Sequence, residues 1–163
     1  MSEKKEVAKK EQRLQKRSEI MELQDTLMEH VDGTNVVKGD SEVFPLKHTF
    51  TDGIYIRQMS MNKDSFVIGK IHKHNHVWFL LSGKISVADE NDTIDHIAPC
   101  YVEAPSGSKR MIYAHEDSVW VNIHANPTNT QDLEELEELI QGFVVEKSNT
   151  QVLFLSLKSL KQQ

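Results

Sequence analysis

From about residue 42 to about residue 126, the apolar residues of the chain recur with a period of two. They stand in short runs closed by turn-forming residues, as at Asp52-Gly53. Successive side chains of a strand point to opposite faces, so this period is typical of strands that are buried on one face. At least eight such runs follow one another without a helical pattern between them. This indicates an all-β body, either an antiparallel barrel or a sandwich.

A long helix is predicted before this body. Residues 3–31 contain no Gly or Pro and are dominated by Glu, Lys, Gln, Arg, Leu and Met, which favour helices. Apolar residues are sparse up to residue 18 and dense from residue 19 onward. We therefore expect residues 3–18 to form a solvated helix and residues 19–31 to pack against another surface.

A second helix is predicted after the body, with Thr128 or Thr130 as its N-cap and an acidic first turn. Gly142 would end this helix, and its apolar stripe consists of Leu133, Leu136, Ile140 and Phe143. Two further segments, Phe143–Val145 and Gln151–Leu157, are predicted as strands. The last strand should pair with a sheet edge, because an exposed apolar strand is prone to aggregation.

These elements divide the chain into three predicted parts. Residues 1–33 form an N-terminal helical arm, residues 34–127 form the β body, and residues 128–163 pack on that body or on a neighbouring copy. The net charge is −6, but residues 1–17 hold seven Lys and Arg against three Glu, a net of +4, which leaves −10 for the remainder. The acidic body argues against nucleic-acid binding, and the basic arm suggests docking to a partner, including a second copy.

The remaining composition excludes several classes of protein. Cys100 is the only cysteine, so an intramolecular disulfide is excluded, and we expect a small apolar filler rather than a reactive thiol. No apolar run approaches 18 residues, so no membrane span is predicted. The basic N-terminus lacks a following apolar segment, so no secretory signal is predicted. Trp78 and Trp120 lie on predicted strands, and we interpret them as core residues rather than ligand-stacking ones.

Three histidines at alternate positions, His72, His74 and His76, precede the apolar strand Val77–Leu81. Residues i, i+2 and i+4 of a strand share a face. A straight strand would hold the first and third histidines roughly 13 Å apart, too far for metal–nitrogen bonds of about 2 Å. They converge on a metal only if the chain bends between them. We predict these three as candidate metal ligands, with His124 as a possible fourth.

This run resembles the first motif of the cupin superfamily, which reads Gly, a spacer, His-x-His, a short spacer, Glu, six residues and Gly. Counting back from Gly83 places His76 in the Glu position, and His72 and His74 then supply His-x-His. In a second register His72 is the second histidine and Lys70 occupies the place of the first. Both registers leave the metal-binding set open.

The chain matches the turn of the second cupin motif. Pro105-Ser106-Gly107 supplies the Pro-x-Gly of that motif, while Arg110 stands in its histidine position and Ala114 in its Asn position. The resemblance covers roughly residues 42–126 and implies a jelly-roll barrel. Within the superfamily, the chain is most similar to small single-domain cupins encoded by bacteriophages.

Arg110 has two interpretations. In a cupin cavity without a metal, its guanidinium would bind an anionic ligand through two parallel hydrogen bonds. On a strand surface, it would form an ordinary salt bridge with Glu103 or Glu116.

The sequence leaves three functions open, and we give first place to a non-catalytic structural module. In that hypothesis, the cupin-like jelly roll needs no cofactor, forms a homo-oligomer, and is docked through helix 3–31 to another protein, as a head or tail accessory component of a phage virion. The alternative is an oxygenase- or isomerase-like enzyme with one Fe, Mn, Ni, Cu or Zn at His72, His74 and His76. The third is a sugar- or anion-binding cupin. The corresponding location is a virion or the bacterial cytoplasm.

Overall fold

The computed structural model describes residues 2–31, 36–38, 44–141 and 153–156. Within these ranges, two helices, α1 (Ser2–Met28) and α2 (Leu133–Ile140), accompany eleven strands. The strands are β1 (Val36–Lys38), β2 (Leu46–Thr51), β3 (Ile54–Met61), β4 (Ser65–Ile68), β5 (His76–Ser82), β6 (Lys84–Ala88), β7 (Thr93–Ile97), β8 (Cys100–Ala104), β9 (Met111–Ala114), β10 (Ser118–Ala125) and β11 (Leu153–Ser156). Each short run of alternating residues in the sequence has become a strand.

The strands form two antiparallel sheets. The six-stranded sheet has the order β1-β11-β4-β9-β6-β7, and the five-stranded sheet has the order β2-β3-β10-β5-β8. Strands that are distant in the sequence are neighbours in both sheets, for example β10 between β3 and β5. The mostly β architecture is confirmed, and it is consistent with the jelly roll implied by the cupin resemblance. Closure into a barrel stays a prediction.

The main hydrophobic core lies between the two sheets. Trp78 and Trp120 are buried there with their rings stacked and the ring centroids 4.0 Å apart. Cys100 packs against the same core as a free thiol, as expected of an apolar filler. The interpretation of both tryptophans as core residues is confirmed.

The outward face of the five-stranded sheet is apolar at its centre. On β5 and β10, the residues that alternate with the core positions are Val77, Phe79, Leu81, Val119, Val121 and Ile123. Ile56 of β3 and Tyr101 of β8 continue this apolar centre, whereas Gln58, Ser60 and Glu103 on the same face are polar. Tyr101 is 71% exposed and Leu81 is 53% exposed. The outward face of an antiparallel sheet in a monomer is usually polar.

Helix α1 is docked through its second half, as predicted from residue 19 onward. Lys16 and Arg17, in the segment that was expected to be solvated, also bond to the sandwich. Ile20 and Gln24 are buried against the sandwich, whereas Val7 and Leu14 are 57% and 59% exposed. The Nζ group of Lys109 donates to Gln24 Oε1 at 2.5 Å and to the Gly69 carbonyl at 2.8 Å. Part of the surface on which this helix packs therefore belongs to its own chain.

The buried carboxylate of Glu90 also joins helix α1 to the sandwich. Glu90 Oε1 lies 2.5 Å from Arg17 Nη1 and accepts the backbone N–H of Lys109 at 2.9 Å. Burial lowers the pKa of Lys109 to about 8, so its ammonium remains charged at neutral pH. Helix α1 is thus tied to the loop that precedes β9.

Helix α2 begins at a different cap from the one expected. The side chain of Asp132, rather than Thr128 or Thr130, accepts the backbone N–H groups of Glu134 and Glu135. Aspartate is as good a cap as threonine, and Thr130 Oγ1 instead accepts the N–H of Asp132. Two residues of the predicted apolar stripe, Leu136 and Ile140, are buried against Tyr55, whereas Leu133 is 40% exposed.

The predictions for the chain after α2 are tested in part. The strand Leu153–Ser156 pairs with β1 and β4 in the six-stranded sheet, so the expected edge pairing of the last strand is confirmed there. Gly142 and Phe143–Val145 lie outside the described residues. No helix in the described ranges is both long enough and apolar enough to cross a membrane.

Candidate functional site

The interior face of the five-stranded sheet changes from apolar to polar along its strands. On β10, Trp120 is followed on the same face by Asn122 and then by His124. Across the register, Asn122 lies between Arg57 of β3 and Trp78 of β5. The polar residues of neighbouring strands are therefore collected at one end of the interior.

Three histidine rings meet at this polar end. His76 begins β5, His124 is near the end of β10, and His72 lies in the bend between β4 and β5. The ring centroids are 4.4 Å apart for His72 and His76, 4.8 Å for His76 and His124, and 5.0 Å for His72 and His124. All three side chains are buried.

The bend that brings His72 inward is fixed by the backbone. His72 pairs with Gln141 just after α2, and its carbonyl accepts the N–H of Gly107 at 2.9 Å. The N–H of Lys73 in turn donates to the Ile140 carbonyl at 2.7 Å. These bonds turn His74 outward, where it is exposed. The structure therefore joins His72, His76 and His124, and leaves His74 outside the cluster.

The three imidazoles are neutral at physiological pH. Burial, and then the positive charge of Arg110, lower the pKa of His76 to about 4. Burial and the neighbouring His76 lower the pKa of His124 to about 3. The pKa of His72 is lowered further still by burial and by the other two rings. Neutral imidazole is the form that binds metals.

Two ring nitrogens in the cluster lack hydrogen bonds. Within the described chain, Nδ1 of His72 and Nδ1 of His76 are buried without a partner. Nη2 of Arg110 lies 3.3 Å from Nε2 of His76, and since arginine only donates, this nitrogen is the acceptor. Unsatisfied buried polar atoms are costly, so these two nitrogens are candidates for ligation.

The donor set suits a transition metal, but the side chains are not yet arranged around one. Two imidazoles on one metal, with bonds of about 2 Å, have centroids roughly 4.5–5.2 Å apart, close to the spacing of this cluster. In the part of the chain that the structure describes, however, no three His, Cys, Asp or Glu groups are positioned to hold a metal ion. The rings would have to turn about their side-chain bonds to direct their nitrogens to one point.

A small cavity of about 50 Å³ adjoins the cluster. Its polar lining comes from Arg57, Lys70, His72, Arg110 and Asn122, and its apolar lining comes from Met59, Val67, Ile112 and Trp120, with Gly69 completing the wall. Arg110 is only 8% exposed. Its expected surface salt bridge with Glu103 or Glu116 is wrong, because the guanidinium points into the interior instead.

Comparisons with known proteins concern the fold. No protein-family model and no curated protein matches the chain. Similar solved structures include a cupin-2 domain protein from Shewanella frigidimarina (14% identity, 53% of this chain and 85% of that chain, TM-score 0.45) and a cupin superfamily protein from Desulfitobacterium hafniense (11%, 55% and 83%, 0.46). A third is KdgF from Halomonas sp. (14%, 55% and 86%, 0.47). The first two carry the name of the superfamily that the two sequence motifs resemble.

Two parts of the site were not apparent in the sequence. Arg57 carries no motif, and its only signal is the alternation that places it on the face shared by Tyr55 and Met59. His124 was proposed only as an additional ligand, because its approach to His76 depends on the pairing of β10 with β5.

Proposed function

We propose that the chain is a small-molecule-binding cupin whose interior holds one divalent transition metal through His72, His76 and His124. The observation that carries this proposal is the contact of three buried, neutral imidazoles with two unpartnered ring nitrogens. Imidazole favours Fe, Ni, Cu and Zn. When bound, such a metal would act as a Lewis acid toward a ligand in the adjoining cavity.

Each residue of the site has a separate task in this proposal. The three histidines hold the metal, and the 4.0 Å stack of Trp78 on Trp120 excludes water from the apolar side of the cavity. His124 is placed against Tyr55, with ring centroids 6.1 Å apart, and the Tyr55 hydroxyl lies 2.7 Å from Nδ1 of His48. A metal on the unpartnered Nδ1 of His76 would require the ring proton to sit on Nε2, so the hydrogen bond that Nε2 accepts from Arg110 would be lost.

Metal content of the untagged protein tests this proposal. Plasma mass spectrometry after purification without chelator should find about one transition metal ion per chain, and His76→Ala and His124→Ala should each lose it. His74→Ala is the matched control, since it removes an exposed histidine two residues away, and it should keep the metal. Absence of metal after incubation with Fe, Mn, Ni, Cu and Zn salts would overturn the proposal. Loss in His74→Ala with retention in His124→Ala would favour the set His72, His74 and His76.

A second candidate function, self-assembly, is favoured by the apolar outward face of the five-stranded sheet. Its occupant in this proposal is a second copy of the chain. The apolar centre has a polar rim, as in protein interfaces, with exposed Lys47 on β2 and exposed Glu103 on β8 at opposite sides. A two-fold axis parallel to the strands places β8 of one copy over β2 of the other. Glu103 and Lys47 then lie on facing edge strands, with Lys47 at the level of Tyr101.

Assembly through this face has a direct test. Tyr101→Lys combined with Leu81→Lys should convert a dimer of the full chain into a monomer in sedimentation experiments. Ile94→Lys, which charges an exposed apolar residue of the other sheet, should leave the dimer intact. A wild-type monomer at micromolar concentration would exclude the face as an interface.

The assembly proposal has a more specific form, in which the N-terminal arm contacts a second protein. The exposed first half of α1, with Val7 and Leu14 uncovered, is the contact with another protein, and that partner is a component of a bacteriophage particle. Deletion of residues 1–15 should then abolish incorporation into particles while the dimer persists.

A further inference from the structure

We infer that Arg57 and Arg110 form a binding site for a small carboxylate anion inside the sandwich. The inference deepens the proposed function by assigning a ligand class to the same cavity. It rests on the proposed function only because that function selects this cavity as the binding site. Four observations carry it: the charge of the cavity lining, the lack of a counter-ion, the placement of the two guanidinium groups, and the size of the cavity.

The cavity lining is positive and contains no carboxylate. Arg57, Lys70 and Arg110 contribute cationic groups, while Asp and Glu are absent from the lining that the described residues provide. Lys70 Nζ lies 3.0 Å from Glu137 Oε1 of α2, so its charge is balanced. Two guanidinium charges remain.

Among the residues that the structure describes, Arg110 is buried without a carboxylate in contact. A guanidinium has five N–H donors, and within the described residues the one side-chain contact of Arg110 is Nε2 of His76 at 3.3 Å. Burial lowers the pKa of Arg110 to about 10, while Asp89 and Glu90 raise it from a distance. Asp89 is itself engaged by backbone N–H groups of its own turn, and Glu90 by Arg17 and by the Lys109 N–H. Buried charges in folded proteins are generally paired or bound, so this group favours an anion.

The two arginines reach the cavity from opposite sheets. Arg57 lies on β3 of the five-stranded sheet, where it pairs across to Asn122. Arg110 directly precedes β9 of the six-stranded sheet. A planar carboxylate between them can accept two parallel N–H bonds from one fork and charge-assisted contacts from the other.

The size and remaining lining select a small organic anion. A water molecule needs about 10–15 Å³ of this kind of volume, so a cavity of about 50 Å³ holds a ligand of roughly three to five non-hydrogen atoms. Met59, Val67 and Ile112 suit a short carbon chain, and the side chain of Asn122 suits a hydroxyl or carbonyl oxygen. The ligand class is therefore a short-chain carboxylate, free or bearing one further oxygen function.

Calorimetry on the full chain tests the inference with acetate and its neutral isostere acetamide as probes, and with inorganic phosphate as a competing oxyanion. Acetate should bind and raise the melting temperature, and acetamide should bind at least tenfold more weakly. Arg110→Gln should weaken acetate binding by at least tenfold. Arg57→Gln, at a half-buried position that tolerates the change more readily, should do the same. Arg13→Gln, at an exposed position of α1, should bind acetate as the wild type does.

Three results would overturn the inference. These are equal binding of acetate and acetamide, unchanged acetate binding in folded Arg57→Gln and Arg110→Gln, or tighter binding of phosphate than of acetate. Repeating the titration after chelator treatment separates the two proposals. Acetate binding by a protein that takes up no metal overturns the metal site and keeps the anion site, whereas a full metal complement without acetate binding does the reverse.

Discussion

The two halves of the sandwich interior are built on the same strands but from opposite chemistry. At one end Met61, Leu80 and Trp120 belong to a continuous apolar core. Four residues away on the same strands, the interior positions are Arg57, His76 and His124. Apolar interiors stabilise a fold, whereas buried groups without partners cost stability. The comparison supports the proposal that one half serves folding and the other binding.

The largest effect is expected from the apolar half. Trp78→Ala removes a fully buried ring and its stack on Trp120, so the free energy of unfolding should fall by about 3–5 kcal/mol. Urea denaturation followed by circular dichroism measures this loss. A loss below about 1 kcal/mol would mean that the two halves do not differ in their contribution to stability.

A change of pH should affect the polar half of the metal-free protein next. The unfolded histidines take up protons below their ordinary pKa of 6.5, whereas in the folded chain the pKa values of His76 and His124 are about 4 and about 3. The unfolded state therefore binds more protons in this window, and stability is lost as the pH falls from 6.5 toward 4. Each histidine contributes a slope of at most about 1.4 kcal/mol per pH unit.

Denaturation of chelator-treated protein at pH 7.5 and pH 5.0 measures this dependence. We expect a loss of about 2–4 kcal/mol for the wild type and a smaller loss for His124→Leu, which lacks one of the titrating groups. A stability that rises on acidification would show that the rings are charged in the folded state.

A smaller loss of stability is expected when a paired charge next to the polar half is removed. Glu90→Gln weakens the contacts with Arg17 and with the backbone of Lys109, and it should cost about 1–3 kcal/mol. Denaturation midpoints of Glu90→Gln and of Glu103→Gln, an exposed control, provide the measurement. Equal midpoints would mean that this buried contact does not stabilise the docking of α1.

The smallest effect on stability is expected at the unpaired charge. Arg110→Met removes a buried guanidinium that contacts no carboxylate of the described residues, and an apolar group of similar length fills its space. The free energy of unfolding in the absence of ligand should change by less than about 1 kcal/mol, or rise. A loss above about 2 kcal/mol in the same denaturation experiment would show that Arg110 serves the fold.

The sequence predicted the strands better than it predicted the site. The period of two and the turn residues located the described strands from β2 to β10, because alternation is a local property. The spacing of His72, His74 and His76 suggested a shared face, but the backbone bonds of the bend turn the middle residue outward. His124 and Arg57 join the cluster through long-range pairing, which no local pattern records. Whether a metal is bound stays a prediction.

Anomalous X-ray scattering from a crystal soaked with Co²⁺ would test the central claim most directly. We predict one strong peak in the interior, about 2 Å from a ring nitrogen of each of His72, His76 and His124, with His74 directed to solvent. A peak at His74, or no peak in the interior while surface histidines such as His30 bind the ion, would contradict the assignment of the polar half to metal binding.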